Sequence, residues 1–222
     1  MSVISEFWNP RQALLKQCIN KPEKTAEARS LLAELHSQVH SGEIYGEKTY
    51  FDEIMDEVDN SNFAVMPSAK DVTIAWNIWH STRIEDITMN ILVLDEKQVL
   101  NAQWQEKLNT SVTDTGNAMT YDEILKFSKG LNLNALIDYR NAVGIKTKQV
   151  IESINAADMK RKFNQNQLER LTDEGCIINH PDSIWLKEFW SRKTVSGIFL
   201  MPITRHQIVH LNDCTNIIKK CR

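Results

Sequence analysis

Apolar residues recur along this chain at the spacing of helix faces rather than in the alternation of strands. From Pro22 onward, Ala28, Leu31, Leu32, Leu35 and Val39 fall three and four apart, with Gly42 as a stop, which predicts a helix of about 18 residues. A short helix is expected around Tyr50 to Val58. Pro67-Ser68 then opens a long helix to about Leu94, whose inward arc collects Val72, Trp76, Trp79, Ile87, Ile91 and Leu94. His80 and Arg83 fall inside that arc. Asp95 to Leu131 holds short helical pieces and a polar segment, Asn109 to Ala118, that reads as loop. A third long helix spans Asn132 to Ile154, with Leu133, Leu136, Ile137, Tyr139, Val143, Ile145 and Val150 as its apolar positions. Short helices near Gln167 to Asp173 and Asp182 to Ser191 lead to a last helix, Ile203 to Cys221. Its inward arc contains Phe199, Ile203, His206, His210, Cys214 and Ile217. Pro202 either sits in its first turn or kinks a helix that began earlier. Four long helices joined by connections too long for hairpins predict an all-α bundle with crossovers. No repeat, low-complexity tract or linker divides the chain, so residues 1–222 read as one domain.

Composition agrees with this picture and removes several function classes. With 222 residues, 42% of them hydrophobic, the chain is long enough to bury a substantial core. Only 7 Gly and 5 Pro argue against a turn-dense all-β architecture. A net charge of −3 leaves no cation surplus for phosphates, so nucleic acid is not an expected partner. The first residues show neither a basic region nor an apolar stretch, and runs such as Val195 to Ile203 are too short to span a bilayer. A cytoplasmic protein without membrane contact is expected. Cys18, Cys176, Cys214 and Cys221 lie at irregular spacings that fit neither a disulfide framework nor a zinc ribbon, so reduced thiols are expected.

The candidate chemistry lies in the histidines. His206-Gln-Ile-Val-His210 places two imidazoles one turn apart on one helix face, close enough to share a metal ion. His80 is a third, on the inward arc of another long helix. Three neutral nitrogen ligands leave a position open, as in a catalytic site. Without a shared metal, three inward imidazoles would each bury unsatisfied nitrogens at a cost on the order of 1–3 kcal/mol per group. The second pair, His36 and His40, lies on the edge of its helix's apolar arc and reads as structural or solvent-facing, with lining of the cleft as the open alternative. His180, before Pro181, reads as a loop or helix-start residue. No His-Glu-x-x-His zincin motif, Glu-x-x-His di-iron motif, Gly-x-Ser-x-Gly elbow or phosphate-binding Gly-rich loop is present.

Two segments carry a family resemblance. Ile74-Ala-Trp-Asn-Ile-Trp-His80-Ser-Thr-Arg-Ile-Glu-Asp86, followed by Met201-Pro-Ile-Thr-Arg-His206-Gln-Ile-Val-His210-Leu-Asn-Asp213, resembles the DinB/YfiT-like metalloenzyme superfamily. That group includes bacillithiol- and mycothiol-dependent transferases and the mycothiol-dependent maleylpyruvate isomerase. Its pattern, one His in the second bundle helix and His-x-x-x-His in the fourth, falls on His80, His206 and His210. The resemblance follows the helix order over most of the chain, but its specific part is these two motifs. The chain exceeds a minimal member in length, which places extra short helices in the crossovers. The resemblance implies a four-helix bundle of up-down-down-up topology and frequently a homodimer. It implies a divalent metal, often zinc or nickel, that activates a low-molecular-weight thiol or water toward a small-molecule substrate.

Other residues are candidates around such a site. Asp213, three residues after His210, and Asp86, on the flank of the His80 helix, either orient a ligand imidazole or are solvated carboxylates. Arg83 either holds a carboxylate of a thiol cofactor or substrate, or pairs internally. Trp76 and Trp79 are pocket candidates, and Cys214 reads as a packed thiol rather than a ligand. A metal-dependent thiol transferase or isomerase is the leading expectation. The alternative is a metal-stabilised helical binding or stress-response protein without turnover. Metal-assisted hydrolysis would need a general base that the sequence does not identify.

Overall fold

The computed structural model describes residues 3–222, which form helices, turns and loops. Among them no strand forms, and a lone bridge pairs Lys162 with Thr194. In chain order the helices are α1 (Val3–Cys18), α2 (Thr25–Val39), α3 (Gly42–Tyr45), α4 (Tyr50–Met55), α5 (Ile74–Asp86) and α6 (Ala102–Leu108). They continue with α7 (Tyr121–Gly130), α8 (Leu133–Ser153), α9 (Gln165–Asp173), α10 (Pro181–Ser191), α11 (Val195–Leu200) and α12 (His206–Cys221). No helix of the described residues is long and apolar enough to cross a membrane.

Local chemistry sets the helix boundaries. Residues 67–73 lie outside α5, contrary to the expected start at Pro67, because Thr73 is the N-cap: its hydroxyl accepts from the Trp76 N–H at 2.9 Å. Thr49, Thr120 and Asn164 close capping boxes with Asp52, Glu123 and Gln167. His180 caps α10 through Nδ1, which accepts from the Asp182 N–H at 3.2 Å. The periodicity did not predict α1, since Pro10 interrupts it and removes a backbone donor. Ile4, Trp8, Leu15 and Cys18 nevertheless form a buried stripe. An Arg11–Glu34 ion pair at 2.7 Å adds a polar tie to α2.

Two π-helical segments bracket the histidines of α5 and α12. Ile87–Val93 prolongs α5, and Met201–Arg205 joins α11 to α12 as one kinked helix that began well before Pro202. The carbonyls freed by the second find side chains: the Thr204 hydroxyl donates to Phe199 O at 2.8 Å and Gln207 Nε2 to Pro202 O at 3.2 Å. The π turn also rotates the faces of α12. Gln207, Leu211, Cys214 and Ile218 are buried, whereas His206 and His210 stand half-buried at the flank of this arc.

α5 packs against α8, α12 and α7, and α2 packs against α1, α8 and Met201–Arg205. Buried apolar side chains from α1 through α12 form one cluster. Between Ile74 and Val93 only Trp76 keeps partial exposure, so this segment is enclosed all round although it carries Asn77, His80, Arg83, Glu85, Asp86 and Asn90. An enclosed helix needs a partner for every polar side chain. Its partners define the site.

Candidate metal centre

The three histidines singled out by their spacing converge. His80 Nε2 lies 3.2 Å from His206 Nε2, which lies 3.1 Å from His210 Nε2. One α5 residue and one face of α12 thus form a group whose ligand atoms all lie within 4.8 Å of one another and could hold a metal ion. Burial pushes the His80 imidazolium pKa down to about 4 and His206 to about 3. Burial, reinforced by His80 and His206, holds His210 well below the usual range as well. All three rings are neutral near pH 7.

Two of the three tautomers are fixed by groups beyond the cluster. His80 Nδ1–H donates to the Thr115 carbonyl at 2.7 Å, and a carbonyl can only accept. Asn77 Nδ2 donates to the Thr73 carbonyl at 3.0 Å, which turns Asn77 Oδ1 toward His210. His210 Nδ1–H then donates to that oxygen at 2.7 Å. With both protons on Nδ1, the Nε2 lone pairs of His80 and His210 aim at His206. A proton on His206 Nε2 serves one of them, whereas a shared cation serves all three nitrogens. The donor set fits a divalent metal. His206 lacks an orienting partner of its own: its Nδ1 is buried without a hydrogen bond.

Sequence reasoning missed the loop that holds α5 in place. Four consecutive carbonyls accept from four α5 side chains: Thr113 O from Arg83 Nη2 at 2.7 Å, Asp114 O from Trp79 Nε1 at 3.2 Å, Thr115 O from His80, and Gly116 O from Trp76 Nε1 at 3.2 Å. Gly116, at φ +76°, is required there, since a Cβ would lie 2.8 Å from Trp76 Nε1. Trp76 stacks on His80, ring centroids 4.5 Å apart and 4° from parallel. The Asn109–Ala118 segment is loop, as its composition indicated, but its backbone is a row of acceptors.

Compared with known proteins, the chain matches no protein-family model and no curated protein sequence.

The remaining candidates divide. Trp76 lies beside the cluster; Trp79 is fully buried against Phe127 and Tyr139 and serves packing. Arg83 pairs internally, with Asp86 Oδ2 at 2.8 Å and the Tyr139 hydroxyl oxygen at 2.8 Å. It is sealed from any ligand. Asp86 orients no histidine: it accepts from the Val99 and Leu100 N–H groups at 2.8 and 3.0 Å and anchors the crossover. Asp213 is exposed near Asp71 and Lys220, on a part of α12 turned from the interior, and makes no hydrogen bond to a histidine. Asn77 does the orienting expected of it. Cys214 is fully buried, its thiol pKa pushed up to about 12 by burial. It is a packed thiol outside the histidine group.

Of the alternatives for His36 and His40, the solvent-facing one is corrected. Neither faces water: both are fully buried, because Tyr45 of α3, Glu85 of α5 and Gly144 of α8 close over the edge of α2 that the periodicity left open. Their Nε2 atoms each lie 3.0 Å from a different oxygen of Glu85, also fully buried. Burial pushes Glu85 upward, but His40 and His36 outweigh it and hold the carboxyl well below its usual range. Tyr45 bonds His36 Nδ1 through its hydroxyl. Beside this group Arg140 of α8 is fully buried. It donates to Val39 O at 2.5 Å, Gln207 Oε1 at 2.8 Å and Thr82 Oγ1 at 2.9 Å, tying α8 to α2, α12 and α5.

This geometry leads to two expected results. Asn77→Leu frees the His210 tautomer, and zinc affinity at the α5–α12 site is expected to fall by about 10–100-fold in a chelator competition titration. Unchanged affinity would show that Asn77 orients nothing. In the metal-free protein His40, held down to about 3 by burial, and His80, His206 and His210 each take up a proton on unfolding. Their folded pKa values lie below the unfolded one near 6.5, so stability falls as pH drops through that value. The slope is about 1.4 kcal/mol per pH unit for each group. Urea titrations with chelator near pH 7.5 and near pH 5 measure it; equal midpoints would contradict buried, neutral imidazoles.

Proposed function

We propose that this chain is a metal-dependent enzyme of the DinB/YfiT-like type, a four-helix bundle of up-down-down-up topology with short helices in its crossovers. In this reading His80, His206 and His210 hold one divalent cation, zinc or nickel. The observation that carries it is the meeting of three neutral Nε2 atoms, two of them with lone pairs fixed toward the third. Three protein ligands leave a coordination position open. A divalent cation there lowers the pKa of a thiol or of water and supplies the nucleophile near pH 7.

The chain's own residues do the rest. The Thr115 carbonyl and Asn77 keep two imidazoles aimed, burial keeps all three unprotonated, and Trp76 shields the face of His80 from water. The substrate is a small molecule and the cosubstrate a low-molecular-weight thiol. The compartment is the cytoplasm, and the partner is a second copy of the chain rather than nucleic acid, for which a net charge of −3 offers no surface. The stacked Trp76 favours a second reading: a closed metal site that stabilises a helical binding or stress-response protein without turnover.

Cobalt(II) separates the two. Titrating the cobalt-loaded protein with a small thiol is expected to produce a thiolate-to-metal charge-transfer band in the near ultraviolet. A spectrum unmoved by excess thiol would mean a closed position, and the scaffold reading would stand.

A further inference from the structure

We propose that His36, His40 and Glu85 form a second metal site, a closed structural zinc site between α2 and α5. Two imidazoles and one carboxylate converge there, one ligand atom of each lying within 4.8 Å of the others, on side chains with no exposure at all. Each Glu85 oxygen lies 3.0 Å from a different Nε2, so the carboxylate straddles the pair and presents both oxygens to one point. Two imidazoles and one carboxylate are a zinc donor set; with the carboxylate chelating through both oxygens the ion would have four donor atoms, and the complete burial of all three side chains, rather than a fourth residue, closes the site to water. The site stands on geometry separate from the His80 cluster and does not depend on the function proposed above.

The chain builds the two groups alike. Each pairs a His-x-x-x-His, from α12 or from the last turn and C-cap of α2, with one side chain of the enclosed α5, His80 or Glu85. The surroundings suit a ligand set. The Tyr45 hydroxyl holds His36 by its far nitrogen. Gly144 of α8 makes room for the His40 ring, because a Cβ there would lie 2.5 Å from His40 Nδ1. Glu85 touches no Lys or Arg among the described residues: its ion-pair contacts are the two imidazoles. Arg140 acts on it only at a distance, its hydrogen bonds spent on Ser81, Thr82, Val39 and Gln207. A buried carboxylate whose nearby guanidinium makes no contact with it is where a bound zinc ion adds the missing direct contact.

The test is zinc content per chain after gel filtration in metal-free buffer, with zinc as the probe. Wild type is expected to keep two equivalents, His206→Ala/His210→Ala one, and His36→Gln/His40→Gln one. Glu85→Gln, which keeps the shape but not the charge, is expected to lose the same equivalent as the His36/His40 variant. A wild-type equivalent that survives His206→Ala/His210→Ala but not His36→Gln/His40→Gln supports the second site even if the first binds nothing. A wild type with no zinc, or with a single zinc lost on His206→Ala/His210→Ala, overturns the proposal and leaves a hydrogen-bonded His–Glu–His group. Where the His36/His40 variant does not fold, the wild-type and His206/His210 arms decide.

Discussion

Replacing His206 and His210 together by alanine is expected to remove one divalent metal ion from the chain, with affinity at that site falling on the order of 10⁴-fold. The magnitude follows from structural zinc sites, where about 10–16 kcal/mol is shared among four ligands, or roughly 3 kcal/mol for each one deleted. The same substitution should barely change the fold. Both rings stand half-buried at the flank of α12, and the residues that seat this helix are Gln207, Leu211, Cys214 and Ile218. His80 remains tied to Thr115 by its own Nδ1. Metal titration of wild type and variant, with circular dichroism to follow the fold, reads both halves. Retention of the same affinity by a folded variant would end the three-histidine reading, and any catalytic reading with it. Loss of metal together with loss of folding would instead favour the scaffold interpretation.

Arg140→Ala is expected to cost about 3–5 kcal/mol of stability, the range for removing one partner of a buried charge system. For a chain of this size that lowers Tm by roughly 10 °C, at about 2–4 °C per kcal/mol. Burial pushes the Arg140 pKa down only to about 10, so it is charged near pH 7 and supplies the positive field that opposes Glu85. Its two terminal nitrogens bind acceptors on three other helices at once, and its guanidinium lies over the Phe51 ring, 5.0 Å from guanidinium carbon to centroid. Arg140→Lys should recover less than half of the loss, since one ammonium group cannot serve both the Val39 and Gln207 acceptors bound by Nη2 and the Ser81 and Thr82 hydroxyls bound by Nη1. Thermal unfolding of the three proteins settles it. A Lys variant as stable as wild type would mean that charge alone, rather than the bridging geometry, is what α8 contributes.

Much of the helical framework was legible because helix periodicity is a short-range property. α2, α8 and the last helix appear where Leu35, Tyr139 and Ile217 recur at intervals of three and four, and the His206/His210 pair is readable by the same rule. α1 was hidden by Pro10, whose local penalty is outweighed by the burial of Trp8 and Leu15 against the rest of the chain. Glu85, Arg140, His36 and His40 were hidden for a different reason. An amphipathic reading assigns polar residues to a solvent face, and the enclosed α5 has no such face: the crossover helices and the Asn109–Ala118 loop cover it.

The sequence by itself therefore determined an all-helical chain, its long helices and the three histidines that could hold a metal ion. Only the tertiary structure decided which nitrogens of those histidines point inward, that Asn77 rather than Asp213 aims His210, and that Arg83 and Asp86 are internal ties. It also brought His36, His40 and Glu85 into one dry group. The division has a physical cause. Propensity, capping and hydrophobic spacing act within a few residues and leave their mark in the local pattern. Hydrogen-bond partners such as the Thr115 carbonyl and His80 are 35 residues apart along the chain and meet only once the helices have packed.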